Sequence, residues 1–95
     1  MRVSLFFMAI FGWHLSALSQ QSTVIDELNN PIPNVAAFNI QKTKSILSNN
    51  DGVINLSRFI YSDSIIFQHP EYNNDTIVKG SVASFIKLTS MYNVL

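Results

Sequence analysis

From Gln21 onward, turn-forming residues cut the apolar pattern into pieces too short for a helix. Asn29-Asn30-Pro31, Pro33-Asn34, Asn49-Asn50-Asp51-Gly52, His69-Pro70 and Asn73-Asn74-Asp75 separate runs rich in Val, Ile, Phe and Thr. Proline fixes φ and cannot donate to a ladder, while Asn, Asp and Gly favour turns. The runs recur at about 8 to 12 residues, the spacing of an all-β sandwich, and none has a convincing amphipathic helical period. The chain is therefore expected to form a small immunoglobulin-like β-sandwich of about seven short strands.

The strands are expected within 21–27, 35–40, 45–48, 53–56, 64–68, 76–78 and 84–88. In Val35-Ala36-Ala37-Phe38-Asn39-Ile40, Val35 and Ala37 share one face and Phe38 and Ile40 the other, as in a strand covered on both sides. Its length and flanking breakers favour a strand over a buried short helix. In 48-SNNDGVINLS-57, Asp51-Gly52 is a strong hairpin signal, because glycine takes the positive φ that tight turns need. Ile54 and Leu56 then point one way and Asn55 and Ser57 the other. Tyr72-Asn73-Asn74-Asp75 reads as a turn. Ile86 and Leu88 lie on a different face from Phe85 and Lys87.

The first residues, MRVSLFFMAIFGWHLSALSQQ, have another character. A cationic start at Arg2, an apolar run and the small-residue pattern Ala17-Leu18-Ser19 form the layout of a secretory signal peptide, cleaved between Ser19 and Gln20. An uncleaved anchor would need roughly 20 apolar residues. Val3 to Leu18 is only 16 long, and His14 and Ser16 interrupt it. A buried N-terminal helix of a soluble protein is the remaining alternative. The domain plan is thus a signal-peptide helix over 1–19 and one sandwich over 20–95.

Cleavage leaves 76 residues, with five basic side chains against six carboxylates and a net charge of −1. A domain of that size buries only about 60% of its unfolded surface. Exported domains often compensate with disulfides, but this chain has no cysteine. It has no basic patch or charge run, which argues against nucleic acid and against electrostatic binding to a membrane surface.

Candidate chemistry is sparse. His69 with Glu71 is the one histidine and carboxylate neighbourhood after the leader, short of the three protein ligands of a catalytic zinc. Asn49, Asn50 and Asp51 lack the closing bidentate acid of a calcium loop and read as turn formers. A Ser-His-Asp arrangement would rest on His69 alone. No metal, cofactor or catalytic residue is expected. The aromatics Phe38, Phe59, Tyr61, Phe67, Tyr72, Phe85 and Tyr92 are expected mostly in the core, with a ligand surface as the alternative. Asp63-Ser64-Ile65 and Asp75-Thr76-Ile77 match the Asp-Ser/Thr-apolar O-glycosylation signal of some Gram-negative bacteria, a triplet that also arises by chance at strand starts.

Taken in order, 24-VIDELNNPIPNVAAF-38, 48-SNNDGVINL-56 and 63-DSIIFQHPEY-72 resemble the carboxypeptidase-regulatory-like domain that heads many TonB-dependent outer-membrane receptors. Asp26, Pro31, Ile32, Val35, Gly52, Ile54, Leu56, Asp63, Ile65 and Tyr72 fall on that family's pattern. The resemblance covers 21–95. It departs at Ser22, often Gly in the family, and at Glu71, where Gly usually precedes the Tyr; both changes restrict access to positive φ. The resemblance implies a transthyretin-like sandwich without catalysis, an accessory domain on the periplasmic face of the outer membrane. Its partners would be proteins, either the receptor's own plug and barrel or a periplasmic protein. It also implies a longer chain, since such receptors continue past the last strand into an acidic-Val-Val segment and the plug. A free-standing secreted binding or adhesion module is the alternative.

Overall fold

The computed structural model describes residues 21–91. The expected signal peptide, its Ser19-Gln20 junction and Tyr92 lie outside them. Seven strands form two sheets: β1 (Gln21–Ile25), β2 (Ala36–Asn39), β3 (Ser45–Leu47), β4 (Val53–Asn55), β5 (Ser64–His69), β6 (Tyr72–Val78) and β7 (Phe85–Lys87). One sheet has the order β4-β1-β7 and the other β3-β2-β5-β6. The only helical turn among the described residues is a 3₁₀ turn, Lys79–Ser81. The expected small all-β sandwich is what forms.

Alternation builds the core. Val24, Ile54 and Ile86 point inward from the first sheet, and Val35, Ala37, Ile65 and Phe67 cover them from the second. Ile32, Leu56, Phe59 and Leu88 complete the buried cluster. Burying a side chain of this size contributes about 1.5–3 kcal/mol. Polar groups that enter the core arrive paired. The Ser48 hydroxyl donates to the Ile32 carbonyl at 2.8 Å and accepts from the Val35 amide at 2.9 Å. The Asn39 side-chain oxygen accepts from the Thr43 and Lys44 amides, which closes the β2–β3 hairpin through Lys42 at φ +61°.

Four expectations need correction. Asp51-Gly52 does not join two paired strands, because β3 pairs with β2 whereas β4 pairs with β1 in the opposite sheet. The turn is a corner between sheets. Asn49 braces it, its side-chain oxygen accepting from the Asp51 and Val53 amides. Second, Tyr72 to Asp75 is strand, not turn. Pro70 and Glu71 alone make the reversal, with His69 opposite Tyr72, and the polar run forms an exposed edge strand.

Third, β2 is covered on one side only. Val35, Ala37 and Asn39 are buried, whereas Ile40 is exposed and Phe38 half-buried beneath the Lys42 ammonium. Fourth, the core takes fewer aromatics than expected. Phe59 and Phe67 are buried and Tyr72 packs against the cluster, but Tyr61 is 78% and Phe85 64% exposed. A short compact core is filled by aliphatic residues from both sheets, and the remaining rings stand on loops or outer faces. The departures at Ser22 and Glu71 carry no strain, since the non-glycine residues with positive φ among those described are Asn29, Asn34 and Lys42.

The chain end ties the sheets together. β7 runs parallel to β1, and the Leu88 amide donates to the Ile25 carbonyl. The chain then crosses to the other sheet, where the Asn73 amide donates to Thr89 and the Met91 amide to Glu71.

Candidate functional site

The loops at one end of the sandwich enclose an open cleft of about 400 Å³. Its floor is buried: Leu56 from the end of β4, and Ser22 from β1, whose hydroxyl donates to the Ala83 carbonyl at 2.8 Å. Tyr61, Gly80 and Ser84 stand at its walls, with Gln21 opening β1 at the rim. Thr23 donates its amide to the Ser84 carbonyl at 2.8 Å, so the wall after the 3₁₀ turn is anchored to the first sheet.

Tyr61 belongs to the β4–β5 loop, which is fixed at several points. The Asp63 carboxylate accepts from the Ile60 amide at 2.9 Å and from the Lys44 ammonium at 3.1 Å. The Ile60 amide, Lys44 and Lys79 together hold the Asp63 carboxyl below the usual carboxylate range, the backbone hydrogen bond contributing most. The Lys79 ammonium donates to the Phe59 carbonyl at 2.9 Å, and the Gly80 amide to the Tyr61 carbonyl at 3.0 Å. The 3₁₀ turn and the loop thereby hold one another.

Gly80 lies under the face of the Tyr61 ring. A Cβ at position 80 would stand 2.5 Å from Tyr61 Cζ and 2.7 Å from both Cε atoms. Near-equality of the three distances means approach over the ring rather than along its plane. The absence of a side chain at Gly80 lets the ring lie flat on the backbone, and the high exposure of Tyr61 leaves its other surface open. No hydrogen bond from another described residue occupies the Tyr61 hydroxyl, the Ser84 hydroxyl or the Gln21 carboxamide. The cleft therefore offers neutral donors and acceptors beside an aromatic plate. Its one charged lining side chain, Lys79, is engaged by a carbonyl.

The residues singled out from sequence lie elsewhere. Asp51 and Gly52 form the corner between β3 and β4. His69 and Glu71 sit at the β5–β6 reversal, where the Glu71 amide donates to His69 Nδ1 at 3.1 Å and the imidazole meets Tyr72 edge-on at 5.2 Å. Burial, then Asp26, Glu71 and Glu27, push the Tyr72 phenol up. Ser64 is half-buried in β5, whereas Thr76 is exposed on β6. The fold does not bring these positions together. The sequence does not show the cleft, because Tyr61 falls among the aromatics expected mostly in the core and nothing around Gly80 marks it as the seat of a ring. The available signal was a tyrosine outside any strand alternation, in Ser57-Arg58-Phe59-Ile60-Tyr61-Ser62-Asp63. Compared with known proteins, the chain matches no family model and no curated protein.

Proposed function

We propose that this chain is an exported, non-catalytic accessory domain at the front of a TonB-dependent outer-membrane receptor, on the periplasmic side, where it contributes protein contacts to nutrient uptake. One observation supports the reading: the chain that carries the ordered carboxypeptidase-regulatory-like pattern forms a small all-β sandwich, the architecture the resemblance implies. Ile32, Val35, Ile54, Leu56 and Ile65 are buried together. Gly52 has φ +75° at the corner feeding Ile54 and Leu56. Tyr72 stands where the last segment crosses onto β6, opposite Ser90.

The same domain could act as a free-standing secreted binding or adhesion module, and the exposed cleft favours that second reading. Sequencing the gene past codon 95 separates them. An open frame running into an acidic-Val-Val segment, a plug and a barrel is the expected result; a stop codon in an intact gene overturns the receptor reading and leaves the module.

A further inference from the structure

We propose that the cleft beside Tyr61 binds a neutral pyranose, with a β-linked glucose oligomer as the best-fitting class. Three features of the site converge on that chemistry. The first is the plate: Tyr61 lies on Gly80, and its far face is open. Aromatic rings bring a large apolar surface at little entropy cost, and the tyrosine hydroxyl adds a polar handle. A pyranose whose hydroxyls are all equatorial presents flat C–H faces above and below, which suit such a plate.

The second feature is the neutral rim. The Gln21 carboxamide supplies both donors and an acceptor, and the Ser84 and Tyr61 hydroxyls can each do either, matching the alternating demands of sugar hydroxyls. All three are free of other described residues. The one cation lining the cleft, Lys79, gives one of its three donors to the Phe59 carbonyl and has its charge partly offset by the Asp63 carboxylate, so the rim is close to neutral. The third is rigidity. The plate's loop is fixed by Asp63 and Lys79, and the opposite wall by the bond from Thr23 to Ser84, so little ordering is required on binding. At about 400 Å³ the cleft lies within the range of small-molecule sites, roughly 300–1,000 Å³.

The inference goes beyond the accessory-domain reading and does not depend on it, since gene sequence tests that reading and ligand binding tests this one. The experiment uses ¹⁵N-labelled protein exported from cells expressing the full chain, titrated separately with cellotetraose, laminaritetraose, glucuronate and inorganic phosphate. At least one neutral oligomer should shift the amides of Gln21, Gly80 and Ser84 selectively, with a dissociation constant on the order of 1 mM. Tyr61→Ala should weaken binding about tenfold or more without lowering the melting midpoint, because the ring is mostly exposed. Tyr61→Phe should retain most of the affinity, since it keeps the plate. Gly80→Ala should weaken binding by displacing the ring. The proposal is overturned if neither neutral oligomer shifts these amides, if Tyr61→Ala binds as wild type, or if glucuronate or phosphate binds more tightly than both.

Discussion

Replacing Gly52 with valine tests the corner between the two sheets. Two costs add. At φ +75° an L-residue meets the steric penalty of the left-handed region, about 1–2 kcal/mol, and a β-branched side chain lies at the upper end. The new Cβ would also stand 2.7 Å from the Val24 carbonyl oxygen, 2.9 Å from Pro31 Cβ and 3.1 Å from the Ile32 amide nitrogen. Carbon–oxygen contacts settle nearer 3.3–3.6 Å. Relief requires the backbone to move, and that backbone carries two bonds, Val24 amide to Gly52 carbonyl at 2.8 Å and Ile32 amide to Val24 carbonyl at 2.9 Å. Loosening them costs about 0.5–1.5 kcal/mol each. The total is about 2–5 kcal/mol, against a usual domain stability of about 5–15 kcal/mol. Asn50→Ala, in the same turn but exposed, should stay within about 0.5 kcal/mol of wild type. Urea unfolding followed by circular dichroism measures both. With m near 1–2 kcal/mol/M for so small a domain, Gly52→Val should lower the midpoint by about 1 M or more. Equal midpoints for the two variants would refute the geometry assigned to the corner.

Three further perturbations probe the core and the loop that carries Tyr61. Ile54→Ala and Phe67→Ala should each cost about 2–5 kcal/mol in the same unfolding assay, while Asn55→Ala, on the exposed side of β4, should be mild; a neutral Ile54→Ala would mean that β4 faces the other way. Ser48→Ala should cost about 1–3 kcal/mol, because it strands the buried Val35 amide and removes a partner of the Ile32 carbonyl, and a variant as stable as wild type would contradict that pair of hydrogen bonds. Asp63→Asn concerns pH: a carboxyl whose pKa is lower folded than unfolded stabilises fully above its unfolded value, about 3.9, and loses that contribution as pH falls through the folded one. The wild-type melting midpoint should therefore exceed that of Asp63→Asn at pH 7 and converge on it below about pH 4, and a constant gap across that window would count against the charge as the cause.

What could be read beforehand divides along the range of the interactions involved. Strand periodicity is a local property, so the inward set of Ile54, Leu56, Ile86 and Leu88 was legible from alternation alone. Sheet membership is not local. Asp51-Gly52 has the composition of a hairpin turn, and the backbone does take the positive φ, yet whether the next strand returns to β3 or crosses to β1 depends on which partner buries Ile54 better. Edge position is equally hidden. Asn73-Asn74-Asp75 has turn chemistry by composition, and becomes strand because β5 offers a ladder on one side while solvent receives the polar side chains on the other. The cleft was the least legible part, because it is assembled from β1, β4, the β4–β5 loop and the 3₁₀ turn, and its key contact is a ring resting on a missing side chain.

The same long-range logic explains how a small domain without cysteine can hold two sheets in register. A disulfide would constrain the unfolded chain; here backbone bonds from single segments bridge the layers instead. The last described segment lies beside β1 through Leu88 and then beside β6 through Thr89 and Met91, so separating the sheets would break bonds on both. Near the start, Asp26 folds the chain back by accepting from the Leu28 and Asn30 amides, and Ile32 then bonds to Val24. Ser48 binds the Ile32 carbonyl and the Val35 amide from the end of β3, linking that returned segment to the second sheet. Among the described residues, both bridges leave the outer side of Asn74 to Val78 in β6 without a partner strand. Asp75, opposite Phe67, places a charge on the side of the strand that otherwise turns toward the core. An incoming strand would have to desolvate that carboxylate, so the edge resists pairing with other chains while the sandwich itself stays closed.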